Sequence, residues 1–475
     1  TVTFVTPGTI SHGGTIQTTT GKVDLDNESA LVTEAGSLIS TTSGNVKLDS
    51  DDSVTHGGEI VTNGGNVTLE SDRALDPFST HVQTEAGSSI RTNGGNVNIH
   101  AIGSTGLDGS IETRGGNAIV TSVDGANTIN GTINADTGKI GIYTKGIGSG
   151  KTIVSDTATL TTTSGDVEII SALDNIEVAG TISSDTGDVT LWTFLDLNLN
   201  GGQISGNTVN LRAAKIDQDI SGAITATTLT GASATTTTLL GSANEIANLG
   251  DFSTGIDLDL FPIFTMYDQG GFTLTNTGDL NVTGSVTSYG GDIDIDTTGA
   301  LDVASTGVVD ASTGDVDLES GANMSITGGS VSGTTVTLVS GGNIVQDAAG
   351  TITATTLTGS SKEQTELNGT NNNVAFINNF VTGEVGGHEG GFVLNNGRTG
   401  TTKITGTLSS QGGDIDVATA GRLDANGTVT SNDGNISLAS GGNSFLYVRG
   451  TVDAGAGDVD LDAAAELNLN DGTVI

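Results

Sequence analysis

A five-residue word recurs along this chain, and its spacing constrains the fold more than any other feature. The word is Gly, then Asn or Asp, then Val or Ile, then any residue, then an aliphatic. It appears as Gly44-Asn45-Val46-Lys47-Leu48, Gly65-Asn66-Val67-Thr68-Leu69 and Gly95-Asn96-Val97-Asn98-Ile99. It returns as Gly165-Asp166-Val167, Gly187-Asp188-Val189, Gly291-Asp292-Ile293, Gly314-Asp315-Val316, Gly434-Asn435-Ile436 and Gly457-Asp458-Val459, with an aliphatic two residues later each time. Neighbouring copies often start at a similar interval: 44 and 65, 165 and 187, 291 and 314, 434 and 457. The repeat length is therefore roughly ~21–23 residues, the range of a solenoid coil. Within each word the apolar residues alternate with polar ones, which is the period of a half-buried strand. One such strand cannot bury its apolar face alone. Winding the chain so that each coil lies ~4.8 Å above the last pairs every strand and stacks like residues into ladders.

The fold expected from this is all-β: a right-handed parallel β-helix (β-solenoid) of about ~21–23 residues per coil. It is right-handed because strand–crossover–strand connections almost always are. Second strand-like pieces lie between the words, as Gly131-Thr132-Ile133, Gly180-Thr181-Ile182, Gly284-Ser285-Val286 and Gly406-Thr407-Leu408. A coil then reads strand, turn, second strand, turn. Glycine is expected to supply positive-φ corners, and the adjacent Asn or Asp to hydrogen-bond its own turn. At this spacing the chain makes roughly 22 coils.

Composition agrees. The chain has 475 residues, 73 of them Gly, 3 Pro and no Cys, with 3% aromatic residues. A stack of slim β-branched ladders has little room for rings. The three prolines exclude a collagen-like or polyproline chain. Without Cys there is no disulfide framework, thiolate metal site or Cys nucleophile. Lys and Arg number 15 against 55 Asp and Glu, a net charge of −40. That sign excludes nucleic acid as a partner and disfavours anionic lipid. No apolar run reaches the ~18 residues of a transmembrane helix, and no signal-like segment opens the chain.

A longer repeat overlies the coils. Ile224-Thr225-Ala226-Thr227-Thr228-Leu229-Thr230-Gly231 returns identically at Ile352–Gly359. Ile246-Ala247-Asn248-Leu249 with Phe252 returns at the same offset as Val374-Ala375-Phe376-Ile377 with Phe380. Gly271-Phe272-Thr273-Leu274 returns as Gly391-Phe392-Val393-Leu394, at a slightly smaller offset. Residues 1–160 therefore read as coils with the generic word, and 161–475 as larger tandem units continuous with the first part. Each unit spans about ~120–128 residues, several coils copied together.

The series Ile224–Gly231, Ala243–Phe252, Gly271–Leu274 and Asp279-Leu280-Asn281-Val282-Thr283-Gly284 resembles the repeat region of filamentous-haemagglutinin-type adhesins exported by two-partner secretion. The resemblance covers roughly residues 160–475. It implies a β-helix, export through an outer-membrane partner, and a place outside the bacterial cell or on its surface. The family's amino-terminal secretion domain is not recognisable. Leu467-Asn468-Leu469-Asn470 repeats Leu197-Asn198-Leu199-Asn200, and neither end resembles a polar cap. The expectation is an internal segment, or a subunit that stacks end to end.

Candidate chemistry is sparse. Aligned words place Asp292 beside Asp315 and Asp294 beside Asp317, an acidic ladder that repels itself and attracts cations. The bland reading is a solvated face, and the calcium nonapeptide Gly-Gly-x-Gly-x-Asp is absent. A polysaccharide lyase would want a basic groove, whereas Lys151, Arg212, Lys215, Arg398 and Lys403 are scattered singly. The five histidines, His12, His56, His81, His100 and His388, have no metal-like spacing and read as surface or turn residues. Phe252, Phe261, Pro262, Phe264, Tyr267 and Phe272 form an aromatic run, expected to pack on the solenoid or fill a wide coil. The Asn-rich counterpart, Asn371 to Gly390, keeps only the Phe252 and Phe272 equivalents, Phe380 and Phe392. Trp192 and Phe194 are expected at the outer face or a corner. Ice binding would want a regular Thr ladder, and Thr here changes position.

The reading is thus a structural or adhesive extracellular fibre with no catalytic, cofactor-binding or metal residues assigned. Its partners would be a second copy end to end or a ligand on a host, matrix or neighbouring-cell surface. The alternatives are a carbohydrate-active β-helix enzyme and a Ca2+-stabilised surface-layer protein.

Overall fold

A computed structural model describes residues 1–72, 80–146, 150–256, 270–384, 386–387, 389–469 and 472–475. Among these there is no helix; the secondary structure is a succession of short strands, and the register pairs are parallel. The chain forms two compact units. The first comprises Thr1–Ala232 with Leu239–Asn244, the second Ser233–Thr238 with Glu245–Ile475. Each is a parallel β-solenoid.

A regular coil carries three strands, not the two expected. Val46–Ser50, Ser53–His56 and Glu59–Thr62 make one coil of the first unit. The next coil stacks on it in register, with Val46 opposite Val67, Val54 opposite Val82 and Ile60 opposite Ile90. Ser53-Val54-Thr55-His56 is too short and too polar to announce a strand by itself. It is one because the coils on either side supply its hydrogen bonds. The words form the module face, whose inner column runs Val23, Val46, Val67, Val97, Ala118, Ile140, Val167, Val189 and Val209. All nine are buried, and fully burying a Val or Ile stabilises by ~1.5–3 kcal/mol.

The recurring glycine of each word serves a different purpose from the one expected. A Cβ on Gly65 would sit 2.1 Å from the carbonyl oxygen of Gly44, one on Gly95 2.2 Å from that of Gly65, and one on Gly434 2.3 Å from that of Gly413. Close stacking of corners requires glycine there. Positive φ falls instead on a preceding residue in several coils, as at Gly64 (φ 94°) and Gly94 (φ 107°). The Asn or Asp also acts across coils and not on its own turn. Asn45 Oδ1 accepts from the backbone N of Asn66 at 2.9 Å, Asn66 from Asn96 at 2.9 Å, and Asn96 from Asn117 at 2.8 Å. Beneath the corner, Thr62 Oγ1 donates to Gly65 O at 2.5 Å, and Thr92, Thr113 and Ser431 repeat the bond to Gly95, Gly116 and Gly434.

Residues 330–382 of the second unit depart from this plan. Ser330–Ser340 and Thr351–Ser361 are single 11-residue strands, and Asn373–Thr382 has 10 residues. Each merges the third strand of one coil with the module-face strand of the next, so the corner between them is no longer a turn. A buried amide clamp marks the opposite side. Gln346 Nε2 donates to Asn372 Oδ1 and Asn372 Nδ2 to Gln346 Oε1, both at 2.8 Å. The same clamp joins Gln218 and Asn244 in the first unit, with both bonds at 2.9 Å.

The long repeat then re-phases. The column that starts at Phe272 passes Ile293, Val316, Val336 and Leu357 to Ile377. Phe392, the copy of Phe272, is not on that column. It pairs with Thr365, above Met324 and Ile344, and begins a new module column of Ile415, Ile436 and Val459. The offset from Phe272 to Phe392 is therefore five coils plus one face. Buried phenylalanines pair at the repeated positions: Phe252 and Phe272 have ring centroids 4.9 Å apart, and Phe380 and Phe392 5.0 Å. Phe261, Pro262, Phe264 and Tyr267 lie outside the described residues.

Candidate interaction surface

Outward positions of the ladders are where this architecture presents a repeated chemical group to solvent, at ~4.8 Å intervals. The expected acidic ladder is present. Asp294 pairs with Asp317 and Asp296 with Glu319 on adjacent strands, giving four carboxylates in a two-by-two tile. Partial burial and the neighbouring charges of Asp317, Asp296 and Glu319 raise the Asp294 carboxyl above its ordinary value; burial and Asp296 raise that of Asp317. Among the described residues no cation offsets either shift. Asp292 sits beside Asp315, whose backbone N donates to Asp292 Oδ1 at 2.8 Å. Among the described residues no group of three or more His, Asp or Glu has metal-site geometry.

A second cluster was not singled out from the sequence. Arg422 forks onto the buried carboxylate of Asp424, with Nε 2.5 Å and Nη2 2.8 Å away. Asp424 pairs with Tyr447 on the next coil. The Tyr447 ring lies between two guanidinium groups, Arg422 at 4.1 Å and Arg449 at 4.8 Å from its centroid. Phe445 packs at 5.9 Å from Tyr447 and is exposed. Lys403, opposite Asp424 on the preceding coil, reaches over the Phe376 ring at 5.7 Å. The signal was available: Lys403, Asp424 and Tyr447 follow one another at the coil spacing itself.

Other basic residues stay apart. Lys151 pairs with Glu177 at 2.6 Å and Lys215 with Asp217 at 2.5 Å. Arg398 donates to Asn373 Oδ1 at 2.8 Å, and Arg212 lies opposite Trp192. Trp192 and Phe194 meet edge to face at 4.9 Å on the outer surface, as expected. Exposed ion pairs of this kind contribute ~0–1 kcal/mol each.

The histidines need one correction. His56 is not a surface residue but is buried at 1% exposure, because it takes an inward position between Thr33 and Thr84. Its Nδ1 lies 2.7 Å from Thr33 Oγ1 and its Nε2 3.3 Å from Ser89 O. Burial lowers its pKa to about 4. His81 is exposed, His12 and His100 are half-buried, and His388 lies outside the described residues.

Surface depressions are lined by small polar groups. One contains Ser184, Asp185, Ser205, Asn207 and Thr225. Another contains Asp108, which accepts from Gln83 at 2.8 Å and from Asn130 at 2.6 Å. The second also holds His81, which pairs with Ser104 on the adjacent strand. No helix among the described residues is long and apolar enough to cross a membrane. No protein-family model matches the chain, and neither does any curated protein or solved structure.

Proposed function

We propose that this chain is a non-catalytic repeat segment of a bacterial extracellular fibre, structural or adhesive, of the filamentous-haemagglutinin type. One observation carries the reading: module words and long units both map onto register-matched parallel ladders, so the chain's information goes into extending a polar, acidic surface. Such a surface suits multivalent contact with a host, matrix or neighbouring-cell ligand. The resemblance of Ile224–Gly231 and its repeat to adhesin units supports the identity and, with it, export through an outer-membrane partner. End-to-end continuation of the ladders into a filament belongs to the same reading. The test is fractionation and electron microscopy of the native producer, followed by binding of purified chain to cell surfaces. Surface fibres carrying this chain are expected; a cytoplasmic, non-fibrous protein would sink the reading.

The four-carboxylate tile favours one second reading, a Ca2+-stabilised surface-layer component. The tile is not a preformed site, and a divalent cation would have to draw its carboxylates together as oxygen ligands. A rise of many degrees in melting temperature with millimolar calcium, abolished by Asp294→Asn with Asp317→Asn, would select it over the fibre.

A further inference from the structure

One outward column of the second unit runs without a break from acid to base. Asp315 N donates to Asp292 Oδ1, and Thr335 N to Asp315 Oδ1, each at 2.8 Å. Thr335 then pairs with Thr356, Thr356 with Phe376, Phe376 with Lys403, Lys403 with Asp424, and Asp424 with Tyr447. The acidic end is broadened by Asp294, Asp296, Asp317 and Glu319, which have no cationic partner among the described residues. The other end is broadened by Arg422 and Arg449 around Tyr447. Between the ends are the hydroxyls of Thr335 and Thr356, with no charge.

We propose that this column is a pairing surface for a second copy of the chain, related by a two-fold axis that lies along the strands between Thr356 and Phe376. Such an axis reverses the coil order and keeps the strand direction. It sets Asp292 opposite Tyr447, Asp315 opposite Asp424 with its Arg422, Thr335 opposite Lys403, and Thr356 opposite Phe376. Two residues further along the outermost strands, it sets Asp294 opposite Arg449. Every contact occurs twice, so the pair is isologous and closes at two copies. Charge complementarity selects the occupant: a −40 chain offers few cations, and the end that carries Lys403, Arg422 and Arg449 faces the end that carries Asp292, Asp294 and Asp315, with Arg449, 3.7 Å from Asp424 in its own copy, set against Asp294. Arg and Tyr are the side chains that most often anchor interfaces. Eight levels at ~4.8 Å and strands of about five residues give roughly 600 Å² per copy, somewhat below the ~800 Å² of a standard interface. The pair is therefore weak and sensitive to salt. It is independent of where the protein resides.

Sedimentation equilibrium of the full chain at ~100 μM and ~0.15 M salt tests this, a loading that populates a dimer with a Kd of tens of micromolar. A closed monomer–dimer equilibrium is expected, weakened at least tenfold at ~1 M salt. Arg449→Glu alone and Asp294→Lys alone are each expected to abolish it. An equimolar mixture of the two variants restores a dimer, since both charge contacts are then again opposite in sign; this restoration also shows that each variant folds. A monomer at both salts, an assembly that grows beyond two copies, a dimer indifferent to either substitution, or a mixture that stays monomeric would each overturn the proposal.

Discussion

The regular coils between Val23 and Ala101 and the re-phasing segment 330–382 solve one problem in two ways. Both must satisfy backbone groups at corners that have no water on the inside. The regular coils do it with a repeated word: Gly lets corners approach, Thr or Ser bonds the glycine carbonyl from within, and Asn or Asp bonds the next coil from without. The re-phasing segment removes one corner and gives the groups of another to buried side-chain amides. Asn372 alone accepts from Ile352 N at 2.7 Å and from Gln346, and donates to Gln346 and to Asn395 O at 3.1 Å. The first solution is distributed and tolerant of single losses. The second is concentrated, because a half-satisfied buried network is worse than none.

The contrast makes the segment the more fragile region. Asn372→Leu strips four bonds, three of them buried, and each orphaned group costs ~1–3 kcal/mol, so a loss of about 4 kcal/mol is expected. Hydrogen exchange should show it as lost protection at 344–396 with the coils at 23–101 unchanged; equal loss in both would erase the distinction.

Within the regular coils the most sensitive point is His56. Its folded pKa of about 4 lies below the ordinary 6.5 because burial disfavours the imidazolium. The unfolded chain therefore binds the proton first. Stability is full above pH ~6.5, falls as pH drops towards ~4, and is flat below that, a total of about 3 kcal/mol at 1.36 kcal/mol per unit. Urea titrations of the coils around His56 across this range should show the slope, and His56→Leu should remove it. A slope that survives the substitution belongs to other groups.

Smaller effects probe the word itself. Gly65→Ala forces a Cβ against the Gly44 carbonyl, and overpacking of this kind costs ~1–3 kcal/mol. Asn66→Ala removes one exposed acceptor for Asn96 N, with a loss of ~0.5–1.5 kcal/mol. Both are measured by local exchange at residues 65–97. An Asn66 effect larger than that of Gly65 would mean that the outer bond, and not the close corner, holds the coils together.

How much could be read beforehand follows the same contrast. The solenoid and its coil length were legible, because the word states its inner residues directly: Val46, Val67 and Val97 recur at fixed positions. The third strand was not, since Ser53–His56 has one aliphatic and acquires its identity from the coils above and below. Glycine does supply positive φ at corners such as Gly64 and Gly94, but the roles of the word's own glycine and Asx were misassigned because single-turn chemistry explains those residues equally well; only stacking shows that both act between coils. The long unit was visible as an offset, but that it amounts to five coils plus one face required the pairing of Phe392 with Thr365. Of the outer surface, the Asp294–Asp317 neighbours followed from alignment. The Arg422–Asp424–Tyr447–Arg449 cluster was missed because basic residues were weighed singly and not at coil spacing.

The Asx ladder has a direction. In each regular bond the oxygen belongs to the earlier coil and the N–H to the later one: Asn45 receives Asn66, Asn66 receives Asn96, and Asp166 receives Asp188. A finished coil thus presents an acceptor that points towards residues not yet wound. Extending the stack at its carboxyl end brings donors to waiting acceptors, and extending it at its amino end brings acceptors to waiting donors, so the two faces of the ladder are chemically distinct.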